Sequence, residues 1–150
     1  MITETKIFER GFDIISNPAG FQNRLLASVL DFIIVFVSLG ILSTLIYGEF
    51  LNYKEVYLTD TISLIYYLLL PVLWYGYTLG RKMVGNRIVR VDGKKVGIGT
   101  MLLRNWVAGA FYILTLGIGL IVSAFMIGLR EDKRAIHDFI AQTYVTTDSP

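Results

Sequence analysis

The sequence predicts an α-helical polytopic membrane protein. It should have two full transmembrane helices, a third apolar block interrupted by glycine, a small cytoplasmic β-hairpin and a C-terminal strand. Three observations carry that prediction. Of 150 residues, 54% are hydrophobic and the mean hydropathy is +0.58, above the roughly 45–50% apolar share of soluble domains. The apolar residues fall in long blocks: Leu25 to Gly48 is 24 residues with one charge, Asp31. The basic residues lie between blocks, with seven Lys and Arg from Arg81 to Arg104 against a single acid, Asp92.

The length fits one domain, 1–150. Residues 1–20 form a polar, mixed-charge lead that ends in a turn at Asn17-Pro18-Ala19-Gly20. The lead lacks the basic start, short apolar core and small-residue cleavage site of a secretory signal, so the first apolar helix is expected to stay in the mature protein. That first span, 21–47, exceeds the ~20 residues that cross ~30 Å of hydrocarbon. A short loop, 48–60, carries Glu49, Lys54, Glu55 and Asp60. The second span, 61–80, has no formal charge; Pro71 predicts a kink in it, and Gly76 with Gly80 permits close helix approach.

The basic loop, 81–104, holds the alternating run Arg87-Ile-Val-Arg-Val, the turn pair Asp92-Gly93 and a return through Lys94-Lys-Val-Gly, which together read as a β-hairpin. The third block, 105–129, is 25 uncharged residues broken at Leu116-Gly117-Ile118-Gly119. The tail, 130–150, starts as a polar helical turn and ends in a β-branched and aromatic strand at Thr143–Thr147.

Lysine and arginine near span ends prefer the cytoplasm. The lead has Lys6, Arg10 and Arg24, the first loop only Lys54, and the tail Arg130, Lys133 and Arg134. The first two spans therefore form a hairpin with a cytoplasmic N-terminus and an external 48–60 loop. A straight third span would place the basic tail outside. Two half-helices turning at Gly117–Gly119 return it to the cytoplasm, where its strand can pair with Ile88–Val91. The location expected is the inner, cytoplasmic membrane.

The chain has no cysteine and one histidine. That excludes a disulfide framework, thiolate metal sites, a cysteine nucleophile and a His-rich metal cluster. There is no nucleophile elbow, phosphate-binding glycine loop or metal-ligand spacing, so no enzyme activity and no cofactor are expected. The basic loop beside a membrane helix fits attraction to anionic headgroups of the lipid bilayer; nucleic acid is not an expected partner.

Asp31 is the residue that most needs an explanation. A carboxylate in hydrocarbon costs roughly 2.5–3.5 kcal/mol on insertion scales, so it calls for a partner, a proton or a wet cavity. Arg24 shares its helix face, about 10 Å away along the axis, with Ser28 nearby. One reading makes Asp31 a site that exchanges a proton for a cation, tuned by Arg24 and Arg104. The other makes it half of a structural buried pair with Arg104 or Arg24, Arg104 being its natural partner from another helix. Asn105 follows Arg104 at the opening of the third block. Asp138 belongs to the tail and is expected to clamp it to the basic loop through Arg81, Lys82 or Arg87. His137 would titrate near neutrality.

Three blocks resemble the RDD family of small membrane proteins, named for one Arg and two Asp residues. They are Ala19-Gly-Phe-Gln-Asn-Arg24 through Asp31; Gly76-Tyr-Thr78-Leu-Gly80 through Asp92-Gly93, followed by Arg104-Asn105; and Arg134-Ala-Ile-His137-Asp138-Phe-Ile-Ala141-Gln-Thr143. Gln142 stands where the family usually has Gly. The resemblance implies an integral membrane protein, with sodium/proton exchange suggested for some members. Two functions follow as expectations. One is a small, homo-oligomeric ion or solute transporter using Asp31. The other is a non-transporting protein that organises partners or anionic lipid through its basic cytoplasmic face.

Overall fold

The first long helix is inside out by the standards of a soluble protein. A computed structural model describes residues 7–10, 13–50 and 56–150; Lys6, Lys54 and Glu55 lie outside the described residues. Two short strands, β1 (Ile7–Arg10) and β2 (Asp13–Ser16), precede α1 (Phe21–Tyr47). The buried residues of α1 are Arg24, Ala27, Asp31, Leu39, Gly40 and Ser43, so small and polar groups face inward. Asp31 is 3% exposed while its neighbour Phe32 is 63% exposed. In water that arrangement would be unfavourable on both faces. In lipid it is the ordinary one, because the solvent is apolar and polar groups must find partners inside the protein. At 27 residues, α1 is about 40 Å long, and among the described residues it is the one helix long and apolar enough to cross a membrane by itself.

α2 (Val56–Leu73) includes Pro71, and its apolar part, Asp60–Leu73, falls below the length of a full span. The expected second span, 61–80, is corrected at both ends. The helix starts at Val56 and stops at Leu73, because Tyr75 (φ 52°) and Gly76 (φ 90°) turn left-handed. Gly76 also lies against the Ile88 backbone, where a Cβ would collide with the Ile88 carbonyl. Gly80 belongs instead to α3 (Leu79–Val84), which begins at Thr78 and ends on Gly85.

β3 (Arg87–Arg90) follows, but the expected hairpin within the basic loop does not form. β3 pairs antiparallel with the tail strand β4 (Thr143–Thr146), Ile88 opposite Val145. The return arm is diverted: Val96 packs with Ala19, Ile88, Met101 and Val145, and Gly97 starts α4 (Ile98–Leu102). Asp92 turns back to hold the Arg90 guanidinium at 2.6 Å. The other edge of β4 is taken by the lead, through Ala19 N–H to Val145 O (2.8 Å) and Thr147 N–H to Asn17 O (3.1 Å). The lead is therefore structured rather than only polar, β1 and β2 pairing as an antiparallel hairpin. A small core of Ile15, Val91 and Tyr144 joins it to the sheet.

A π-helical turn (Leu103–Val107) joins α4 to α5 (Ala108–Leu114). The third apolar block then breaks at Leu116 (φ 50°) and Gly117 (φ 83°), and α6 (Ile118–Leu129) leaves at 119° to the rod before it. The bend is held by Tyr112 Oη and Ser123 Oγ, 2.9 Å apart. α7 (Ile136–Ile140) then leads into β4. Beyond its first turn α6 runs back toward the end where the rod began, since α7 meets Arg104 there.

Candidate functional site: two buried carboxylates

Of the three buried carboxylates among the described residues, Asp132 pairs with the neighbouring Arg130; the other two, Asp31 and Asp138, join separate elements and are built on different chemistry. Asp138 is fully buried. It lies in the first turn of α7, where its Oδ2 accepts the Ala135 N–H at 3.0 Å, a helix-start contact favoured by charge and geometry. The same oxygen takes Arg24 Nη1 at 2.5 Å. Its Oδ1 takes Arg104 Nη1, which also reaches Thr143 Oγ1 at 2.6 Å. Arg24 is further fixed by donating to the Ala19 carbonyl (3.0 Å) and the Lys133 carbonyl (2.5 Å). One anion thus ties α1, the π-helical turn and the tail together.

The expected partners of Asp138 are corrected accordingly. It pairs with Arg24 and Arg104, not with Arg81, Lys82 or Arg87. The π-helical turn matters here, because its extra residue re-aims side chains within a helix and Arg104 sits in it. Burial alone would push the Asp138 carboxyl up; the two guanidiniums more than reverse this and hold it well below the usual carboxylate range. Beside it, His137 is pushed down to about 3, by burial first and then by the Arg104 charge. The expectation that His137 titrates near neutrality is therefore wrong. Its Nδ1 lies 2.8 Å from Tyr112 Oη, which links the ring to the bend of the third block.

Asp31 lies about 15 Å along α1 from Phe21 and is not paired with Arg24 or Arg104. Its three partners are neutral donors: Tyr66 Oη from α2 (2.6 Å), Thr78 Oγ1 (2.5 Å) and the Gly80 N–H (2.7 Å). Gly80 is required for this contact. A Cβ there would press on the Ala27 carbonyl and on the Asp31 backbone and carboxyl, so only glycine lets α3 approach α1 this closely. The predicted pairing of Asp31 with Arg104 fails because Arg104 points to the tail, whose position sequence spacing does not give.

Ser28 donates back to the Arg24 carbonyl at 3.0 Å and takes no part at Asp31. Asn105 reaches the Tyr67 carbonyl at 3.2 Å, joining the third block to α2. Tyr66, Thr78, Gly80 and Thr143 are the site residues that sequence reading missed. Thr78, Gly80 and Thr143 stand inside the quoted motif blocks, which is the signal that marked them; Tyr66 carries none. Every buried side-chain nitrogen and oxygen among the described residues has a partner. Among those residues no group of three or more His, Asp or Glu is placed to hold a metal ion.

Comparison with known proteins places this arrangement. The RDD family model matches residues 18–142, which span both carboxylates and all of their partners but Thr143. The chain is 47% identical to the uncharacterized protein YckC of Bacillus subtilis (strain 168), over 91% of this chain and 89% of the relative. It is 32% identical to the uncharacterized protein YxaI of the same strain, over 85% of this chain and 96% of that relative. No solved structure matches.

Proposed function

The chain belongs to the RDD family, whose members are membrane proteins, and from that premise we propose that it is a small transporter exchanging a proton for a monovalent cation at Asp31. One observation carries the reading. Asp31 is an intramembrane carboxylate that makes no ion pair among the described residues, because both arginines that offered to neutralise it are bound to Asp138. An ionisable group at that depth is a functional-site candidate by default. Its surroundings are the two hydroxyl oxygens of Tyr66 and Thr78. A hydroxyl carries two lone pairs besides its hydrogen, so rotation turns both groups from donors into ligands. A carboxylate with hydroxyl oxygens suits either a proton or a hard cation.

The proposed setting is the cytoplasmic membrane, crossed several times, with lead, basic loop and tail on the cytoplasmic side. The Lys and Arg distribution supports this. So do the 119° bend of the third block and the pairing of β4 with β3, which bring tail and loop to one end. Asp31 lines neither of the two clefts beside α2, and in this reading α3 parts from α1 to admit the ion. Assembly with further copies would complete a pathway that one small chain cannot enclose.

The test is cation-driven proton flux in liposomes, comparing wild type with Asp31→Asn. The expected result is flux with sodium, potassium or lithium that the variant loses. Flux unchanged by Asp31→Asn would remove Asp31 from the site. No wild-type flux with any of the three would end the exchange reading. It would leave the second, favoured by the Asp138 clamp: a non-transporting protein that holds lipid or partner proteins on its basic face.

A further inference from the structure

A cleft of about 740 Å³ opens between α2 and the rod formed by α4, the π-helical turn and α5. Its polar end carries two guanidiniums, Arg81 and Arg104, and no carboxylate lines it. Arg104 is already half neutralised by Asp138. Arg81 is not: its guanidinium donates to Asn86 Oδ1, at 3.3 Å, and among the described residues no acid lies within ion-pair distance of it. Arg24 is close enough to add its field, so three arginines here face two acids, Asp138 and the more distant Asp31, and an excess of positive charge remains. The His137 ring at the same end is uncharged at neutrality and supplies no further cation.

The rest of the wall is apolar. Leu64 and Leu68 line it from α2, Trp106 and Ile113 from the opposite side. Ile113 is 77% exposed and Trp106 58%, so the cleft opens sideways, where a bilayer would lie. Arg81 and Arg104 flank the polar ends of the second and third apolar blocks, at the depth of headgroups. An apolar slot that ends at the interface in two arginines, one of them outside any ion pair, complements one kind of molecule, an anionic amphiphile. The volume falls in the range of ligand pockets, ≈ 300–1,000 Å³, enough for a headgroup and part of one acyl chain.

We infer that this cleft binds an anionic phospholipid, its phosphate between Arg81 and Arg104 and an acyl chain along Leu64, Leu68 and Ile113. The site is separate from Asp31, so it stands or falls independently of cation exchange. It gives the basic cytoplasmic face one defined lipid site in place of diffuse attraction.

Trp106 in the wall provides the readout. The chain has two tryptophans, and Trp74→Phe leaves Trp106 as the only one. This variant, at full length, is reconstituted into phosphatidylcholine vesicles. These contain brominated phosphatidylglycerol or brominated phosphatidylcholine at equal mole fraction. One engaged arginine is expected to give roughly a fivefold preference for the anionic lipid, read as stronger quenching. Arg81→Gln should abolish the preference and Arg81→Lys should retain most of it. Lys94→Gln with Lys95→Gln, on the surface away from the cleft, should leave it intact. Equal quenching by the two lipids overturns the site. Loss of preference in the lysine variant also overturns it, in favour of diffuse attraction. Displacement by millimolar inorganic phosphate would show a site for a soluble anion instead. Should Arg81→Gln fail to reconstitute, the wild-type comparison and the lysine variant decide the matter.

Discussion

Asp138→Asn is the sharpest test of how this chain is held together. The side chain keeps its size, and Asn can still accept the Ala135 N–H and one guanidinium hydrogen. What it removes is the only anion between Arg24 and Arg104, whose side chains are 7% and 5% exposed. Two charge-assisted bonds, ≈ 1.5–3 kcal/mol each, become at most one weaker bond, and two buried cations are left facing each other. Removing one partner of a buried pair costs about 3–5 kcal/mol, and that range is expected here. The loss should fall on α7, since α1 is held by the membrane and β4 by its two paired edges, while α7 is held by this clamp. Trypsin provides the assay, because Arg134 is 6% exposed and donates to the Thr143 carbonyl at 3.1 Å, so cleavage after it requires the tail to open. When opening and closing are fast, the cleavage rate follows the open population. Each 1.4 kcal/mol is about tenfold, so the variant should be cut between two and three and a half orders of magnitude faster. Combining it with Arg24→Gln should add much less than the sum of the single effects. A cleavage rate within fivefold of wild type would refute the clamp.

Two further outcomes follow from the same geometry. Gly80→Ala drives a methyl into the Ala27 carbonyl and Asp31; overpacking of this kind costs about 1–3 kcal/mol, and a detergent melt should show a lower Tm, with an unchanged Tm arguing against the close approach. His137 is held uncharged to about pH 3 in the folded chain, whereas the unfolded ring takes a proton near 6.5. A base with a depressed folded pKa destabilises as pH falls below its unfolded value, so stability should decline from pH 6.5 downward. The loss at pH 5 is about 2 kcal/mol, and His137→Gln should flatten that slope. An equal slope in the variant would place the titrating group elsewhere.

Much of this was legible in order along the chain. The 24-residue run around Asp31 marked a membrane helix, because no soluble fold needs so long an apolar stretch. The glycines at 117 and 119 marked the break, and Gly117 makes it, because a left-handed residue ends a helix wherever it stands, whereas Gly119 lies inside α6. Arg24, Arg104, Asp31 and Asp138 were singled out because charge is rare in such surroundings. The β-hairpin was misread for a related reason: an alternating run followed by Asp-Gly is a strong local signal, yet a strand pairs with the best edge available. Here the tail offers a hydrophobic one through Val145.

The sequence by itself determined the solvent of this protein and the few polar groups it would have to bury. Length, hydropathy and charge act locally and can be read residue by residue. Which carboxylate meets which arginine was decided by the tertiary structure alone. Arg24 and Arg104 had two acids to choose from, and no spacing distinguishes Asp31 from Asp138. The choice depends on the 119° turn and the β3–β4 pairing, which carry the tail back to α1. Gly80 then lets neutral donors satisfy Asp31 at close range, so it needs no arginine.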